Sequence, residues 1–96
     1  MRCVFSPLAE FDIEEIGDYI ARDNPARAVS FIREIRELCL KITVMPEAAP
    51  LRPELGEGLR MMPFGHYLIF YTVSSENIRI ERVLHGARNI SILFDE

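Results

Sequence analysis

Apolar positions along this chain follow a helical period in its first half and a strand period in its second. Ala9, Ile13, Ile16 and Ile20 recur at spacings of four, three and four, while Glu10, Asp12, Glu14, Glu15 and Asp18 fill the other faces. That pattern predicts an amphipathic helix ending near Arg22. Ser6-Pro7 precedes it, a cap followed by a residue suited to the first turn, and the short β-prone Cys3-Val4-Phe5 feeds into it as a strand. Asp23-Asn24-Pro25 repeats the start signal, and Ala28, Phe31, Ile32, Ile35, Leu38, Cys39 and Ile42 form a second stripe. The two helices are expected to pair as an antiparallel hairpin.

Between Met45 and Gly58 the chain carries Pro46, Pro50, Pro53, Gly56 and Gly58, which exclude a continuous helix or central strand and predict an ordered loop. The period then falls to two over 59–64, 67–73 and 78–85, with turns at Gly65-His66 and across 74–77. Three antiparallel strands in a meander are expected, giving an α+β fold. The strand 67–73 is apolar on both alternating faces, so neither is fully solvated. One face should take the helix hairpin, and the obvious internal cover for the other is 90–94. Tyr67, Ile69 and Tyr71 therefore become candidates for a partner-binding groove, with Arg88, Ile90, Leu93 and Phe94 from the terminal segment. Regular alternation also sets Arg82 on the side of Ile78, Ile80 and Leu84 and turns Glu81 away. Either a bulge shifts the register or a guanidinium lies against an apolar face and needs a partner from the helices, the backbone or another chain.

The chain has 96 residues, a length that predicts one domain over 1–96 with a small core that gains stability from a bound partner. Its formal net charge of −4 argues against wholesale binding of nucleic acid. The charge is uneven, since 1–49 hold nine acids and six bases, whereas 58–91 hold Arg60, Arg79, Arg82 and Arg88 against Glu76 and Glu81. A solvated sheet face is the favoured reading of those arginines over an anion-binding one. Cys3 and Cys39 lack the paired spacing of a zinc or redox motif and are expected as buried reduced thiols. No stretch reaches the roughly 20 apolar residues of a membrane span, and no basic-then-apolar leader opens the chain, so a cytoplasmic location is expected.

Candidate chemistry is sparse. Glycine-rich phosphate loops, serine elbows and paired His/Cys ligands are all missing from the sequence, so no metal or cofactor is expected. His66 falls in a turn, where a solvated role is favoured. His85 ends the last strand near Arg82 and Arg88, and such a cluster is the type that cleaves RNA by acid–base catalysis. Bonding a loop carbonyl is the favoured structural alternative. The acids from Glu10 to Asp18 are read as a solvated helix face.

The ordered set Ser6-Pro7-Leu8-Ala9 with Ile13, Ile16, Tyr19 and Ile20, then Asn24-Pro25-Ala26-Arg27-Ala28, Leu55-Gly56, Leu59-Arg60, Tyr67-Leu68-Ile69-Phe70-Tyr71 and Arg82-Val83-Leu84-His85-Gly86-Ala87-Arg88 resembles the ParE toxins of the RelE/ParE superfamily. The resemblance spans nearly the whole chain. It implies a toxin neutralised by a cognate antitoxin, commonly a ParD-like ribbon-helix-helix protein that touches DNA on the toxin's behalf. It implies DNA gyrase as the target and no membrane partner. The related RelE branch cleaves messenger RNA on the ribosome with several Lys, Arg, His and C-terminal Tyr side chains. This chain has only Lys41, in a helix, and its last tyrosine is Tyr71, which leaves Arg60, Arg82 and His85 as candidates for a nuclease face. A non-enzymatic toxin is therefore the favoured reading, with an endoribonuclease or an inactive antitoxin-binding relative as alternatives.

Overall fold

The computed structural model describes residues 1–86. Its elements run β1 (Arg2–Phe5), α1 (Pro7–Ala21), α2 (Pro25–Ile42), β2 (Arg60–Phe64), β3 (Tyr67–Val73) and β4 (Asn77–His85). Both helices begin as the sequence predicts. The Ser6 hydroxyl accepts from the Ala9 N–H at 2.9 Å and the Asn24 side chain accepts from the Arg27 N–H at 3.0 Å, each followed by proline in the first turn. The helices pack closely at Gly17, where a Cβ would sit 2.8 Å from Ile32 Cδ1. A side chain there would require the Ile32 end methyl to move aside.

The strands form one sheet in the order β1-β4-β3-β2. The meander β2-β3-β4 is antiparallel, and β1 adds to β4 in parallel with Cys3 opposite Ile78 and Phe5 opposite Ile80. The architecture is α+β on a mixed sheet. The connection from β1 to β4 runs through both helices and the first two strands of the meander, long enough for the chain to return beside β1 in the same direction. β2 and β3 are joined by Gly65-His66, with Gly65 at a φ of 59° that a side chain disfavours.

Helix stripes and sheet meet in the main core, where Ile13, Phe31, Ile35 and Cys39 pack on Ile69, Tyr71, Ile78 and Ile80. On the opposite face a smaller cluster joins Phe70 and Leu84 to Leu55 and Leu59. The loop before β2 supplies apolar side chains to that face, and the expected cover, 90–94, lies outside the described residues. Leu55 lay in the segment read as prolines and glycines, whereas Leu59 was read as the start of the strand that follows.

The register of β4 also departs from strict alternation. Tyr71 pairs with Ile80 and Phe70 with Arg82, so Glu81 is an extra residue in the ladder. This bulge returns Val83 to the helix-facing core and pairs Leu84 with Leu68 on the other face.

Candidate functional site at the end of strand β4

β1 is short, and β4 continues past it. Beyond Ile80 the backbone of β4 would present bare polar groups at a sheet edge, a costly arrangement where water is excluded. The start of α1 replaces the missing strand. The Ser6 N–H donates to the Ile80 carbonyl at 2.9 Å, and the Ser6 hydroxyl donates to the Glu81 carbonyl at 2.8 Å. One turn further on, Asp12 accepts from the Val83 N–H at 3.0 Å.

Asp12 does more than cap the edge. Its two carboxylate oxygens accept from Arg82 Nε at 2.8 Å and Nη2 at 3.0 Å, a two-pronged pair with side-chain exposures of 8% and 17%. The bond from Asp12 holds the Arg82 guanidinium above its ordinary pKa, outweighing the opposing effect of burial. The acidic run was therefore misread at one position, because Asp12 is 7% exposed whereas Glu14 and Glu15 are solvated. A signal was available: position 12 is three residues after Ala9 and four before Ile16, on the apolar stripe itself.

The three residues considered for catalysis are not assembled into one site. Arg60 donates from Nη1 to the carbonyls of Ala49 at 2.6 Å and Glu47 at 3.2 Å, holding the loop before β2. It pairs in register with Tyr71, whose hydroxyl donates to the Pro46 carbonyl at 2.8 Å in the same loop. Burial raises the Tyr71 pKa. Arg82 is paired with Asp12. Only Arg82 and His85 come together, on the wall of a groove of about 380 Å³ between α1 and the end of β4, which also takes in Tyr19, Arg22 and Tyr67. The His85 ring stands edge-on to Tyr67 with centroids 5.6 Å apart and stacks with His66 at 6.5 Å.

Tyr67 also lines a second groove of about 480 Å³, where Ile20, Phe31 and Phe64 present apolar surface beside the β2–β3 turn. Phe31 anchors that wall, with its ring 5.2 Å from Tyr67 and 5.7 Å from Phe64. Of the residues predicted to contact a partner, Tyr67 is thus half-buried and faces both grooves. Ile69 and Tyr71 instead are fully buried in the main core, so their side chains hold the fold and offer no surface. Arg88, Ile90, Leu93 and Phe94 lie outside the described residues. Among the described residues no helix is long and apolar enough to cross a membrane.

The family model for the ParE toxin of the type II toxin–antitoxin system parDE matches residues 3–90. A solved structure described as a chromosomal ParDE TA system from P. aeruginosa superposes with a TM-score of 0.77 at 19% identity, covering 88% of this chain and 95% of that one. At that identity the likeness speaks for the fold. Curated protein sequences gave no match.

Proposed function

This chain belongs to the ParE toxin family of type II toxin–antitoxin systems, and from that premise we propose that it is a toxin that acts by binding DNA gyrase and is silenced by a cognate, ParD-like antitoxin. The observation that carries the choice of mechanism is the engagement of both candidate catalytic arginines. Arg60 holds loop carbonyls and Arg82 holds Asp12. Metal-free cleavage of RNA needs cationic side chains directed at the scissile phosphate together with a base and an acid. A guanidinium bonded twice to a buried carboxylate has its charge already neutralised. The shared groove of Arg82 and His85 is the one feature that favours a ribosome-dependent endoribonuclease as the second reading.

The antitoxin reading draws support from the two grooves that meet at Tyr67. Their walls combine apolar rings with exposed charge, the composition of a surface that takes an amphipathic segment folding on contact. Arg88, Ile90, Leu93 and Phe94 belong to this proposal as target contacts. Removing 90–96 is then expected to abolish growth inhibition while antitoxin binding persists, and parallel loss of both would reduce the segment to a structural cover. Gyrase and ribosome readings separate in one comparison, supercoiling by purified gyrase against cleavage of ribosome-bound message. His85→Gln is expected to leave growth inhibition intact, and its loss in a folded, antitoxin-binding variant would favour the nuclease.

A further inference from the structure

The two edges of the sheet differ in how their outward backbone groups are met. On β2 these groups are taken. The Leu59 carbonyl accepts from the Arg52 N–H at 2.7 Å, and the Met61 N–H donates to the Pro50 carbonyl at 3.2 Å. Alternation makes Pro63, which has no N–H, the next outward residue. On β1 the inward direction is fixed at both ends, because the Arg2 N–H donates to the Glu76 carbonyl at 3.1 Å and the Ser6 N–H to the Ile80 carbonyl at 2.9 Å. Arg2, Val4 and Ser6 therefore face β4, and the N–H and C=O of Cys3 and of Phe5 point away from the sheet. Those groups have no partner among the described residues. The stretch Cys3-Val4-Phe5 also has no proline, no bulge and no charge, the usual guards of an exposed edge.

We propose that the β1 edge is the interface of a homodimer, in which β1 pairs antiparallel with β1 of a second copy and the two sheets become one. The spacing of the outward groups selects this occupant. In an antiparallel ladder, pairs that exchange both N–H and C=O alternate with pairs that exchange neither. A two-fold axis at Val4 sets Cys3 opposite Phe5 of the second copy and Phe5 opposite its Cys3. The outward groups of both copies are then satisfied together and none is left over. The same register carries Met1 of each copy towards Pro7 and Leu8 of the other, which covers two side chains that are 55% and 57% exposed in the single chain.

The length of the edge points the same way. The helix Pro7–Ala21 begins directly after Ser6, so a longer foreign strand finds no further β1 backbone to pair with. A second copy is not limited by this, because its own edge has the same two outward residues. Pairing is also confined to one end of the sheet. β1 lies against 77–80, whereas the grooves at Tyr67 are lined by 82–85 and by the β2–β3 turn, so the dimer leaves them open. The interface is therefore independent of the target and antitoxin readings. It is small, and the dimer is expected to dissociate on dilution.

The test is sedimentation of the purified full-length chain under reducing conditions and without antitoxin, over a range of concentrations, together with hydrogen exchange at the Cys3 and Phe5 amides. The mass is expected to rise with concentration towards twice the 11.1 kDa of one chain, and the two amides to gain protection as it does. Val4→Lys and Val4→Glu each set like charges against one another at the axis, so each alone should be folded and monomeric, and mixing the two should restore a heterodimer. Cys3→Pro removes one outward N–H while leaving every β1–β4 hydrogen bond in place, and should also give a monomer. A wild-type chain that stays monomeric at every concentration overturns the proposal. Amides already protected in that monomer would mean that the chain covers its own edge, and amides protected only on adding antitoxin would mean that the antitoxin supplies the strand. A dimer that survives Val4→Lys and Cys3→Pro, or a charge-swapped mixture that stays monomeric, overturns it equally.

Discussion

The two faces of the sheet are held by different means. The helix side is a continuous core in which residues from α1 and α2 interlock with β3 and β4, and its stability comes from apolar burial. On the other side the described residues form a cluster of four buried side chains, two of them from a loop rich in proline and glycine. A loop with so little apolar area to bury needs polar anchors. The stretch 46–49, whose Ala49 belongs to the helix-side core, is fastened in this way: Arg60 grips the carbonyls of Glu47 and Ala49, and the Tyr71 hydroxyl donates to the Pro46 carbonyl. The contrast shows why the same residue types read differently by position, since arginines on this scaffold can be fasteners before they are reagents.

The largest effect should come from the helix side. Ile35→Ala removes a fully buried side chain from the main core and is expected to cost about 3–4 kcal/mol, measured by denaturant unfolding. A cost under about 1 kcal/mol would mean that the two faces do not differ as described.

Next comes the ion pair at the junction. Asp12→Ala leaves a mostly buried guanidinium and the Val83 N–H without their acceptor, and should cost about 3 kcal/mol. Glu15→Ala on the same helix is expected to change stability by less than about 0.5 kcal/mol. Equal effects would return Asp12 to the solvated face that sequence reading gave it.

On the loop side, Arg60→Ala should cost about 1–2 kcal/mol and raise hydrogen exchange across 46–58 while the amides of α2 stay protected. Uniform loss of protection would merge the two regions into one cooperative unit. Tyr71→Phe should be mildest, about 1 kcal/mol. It also carries a pH signature. Burial raises the Tyr71 pKa in the folded chain, so the neutral hydroxyl's contribution is complete below the unfolded value of about 10 and is lost as pH rises through the folded one. The alkaline loss of stability should be smaller in Tyr71→Phe, and an unchanged alkaline limb would contradict the assignment.

Much of this was legible in the sequence. Ser6-Pro7 and Asn24-Pro25 announced both helices, and the switch of period after Gly58 announced the meander. Arg82 was visible as an irregularity, and its two proposed remedies both occur, since a bulge at Glu81 and an acid from a helix operate together. What escaped were pairings across long sequence separations. Nothing local in Cys3-Val4-Phe5 states that the strand lies parallel to β4. Asp12 hid in a run of acids because charge was weighed above its place on the stripe, and Leu55 hid in a loop because prolines were weighed above leucines. Ile69 and Tyr71 were recognised as apolar strand residues but assigned to a partner's surface, when their alternation with Leu68 and Phe70 also fits the helix side.

The proposal that this ParE-family chain binds gyrase rather than cutting RNA can be tested side by side. Purified protein should be added in parallel to a gyrase supercoiling reaction and to ribosomes stalled on a defined message, each with and without the antitoxin. The account predicts that supercoiling is inhibited, that the antitoxin relieves the inhibition, and that the message stays intact. Cleaved message with undisturbed supercoiling would contradict it.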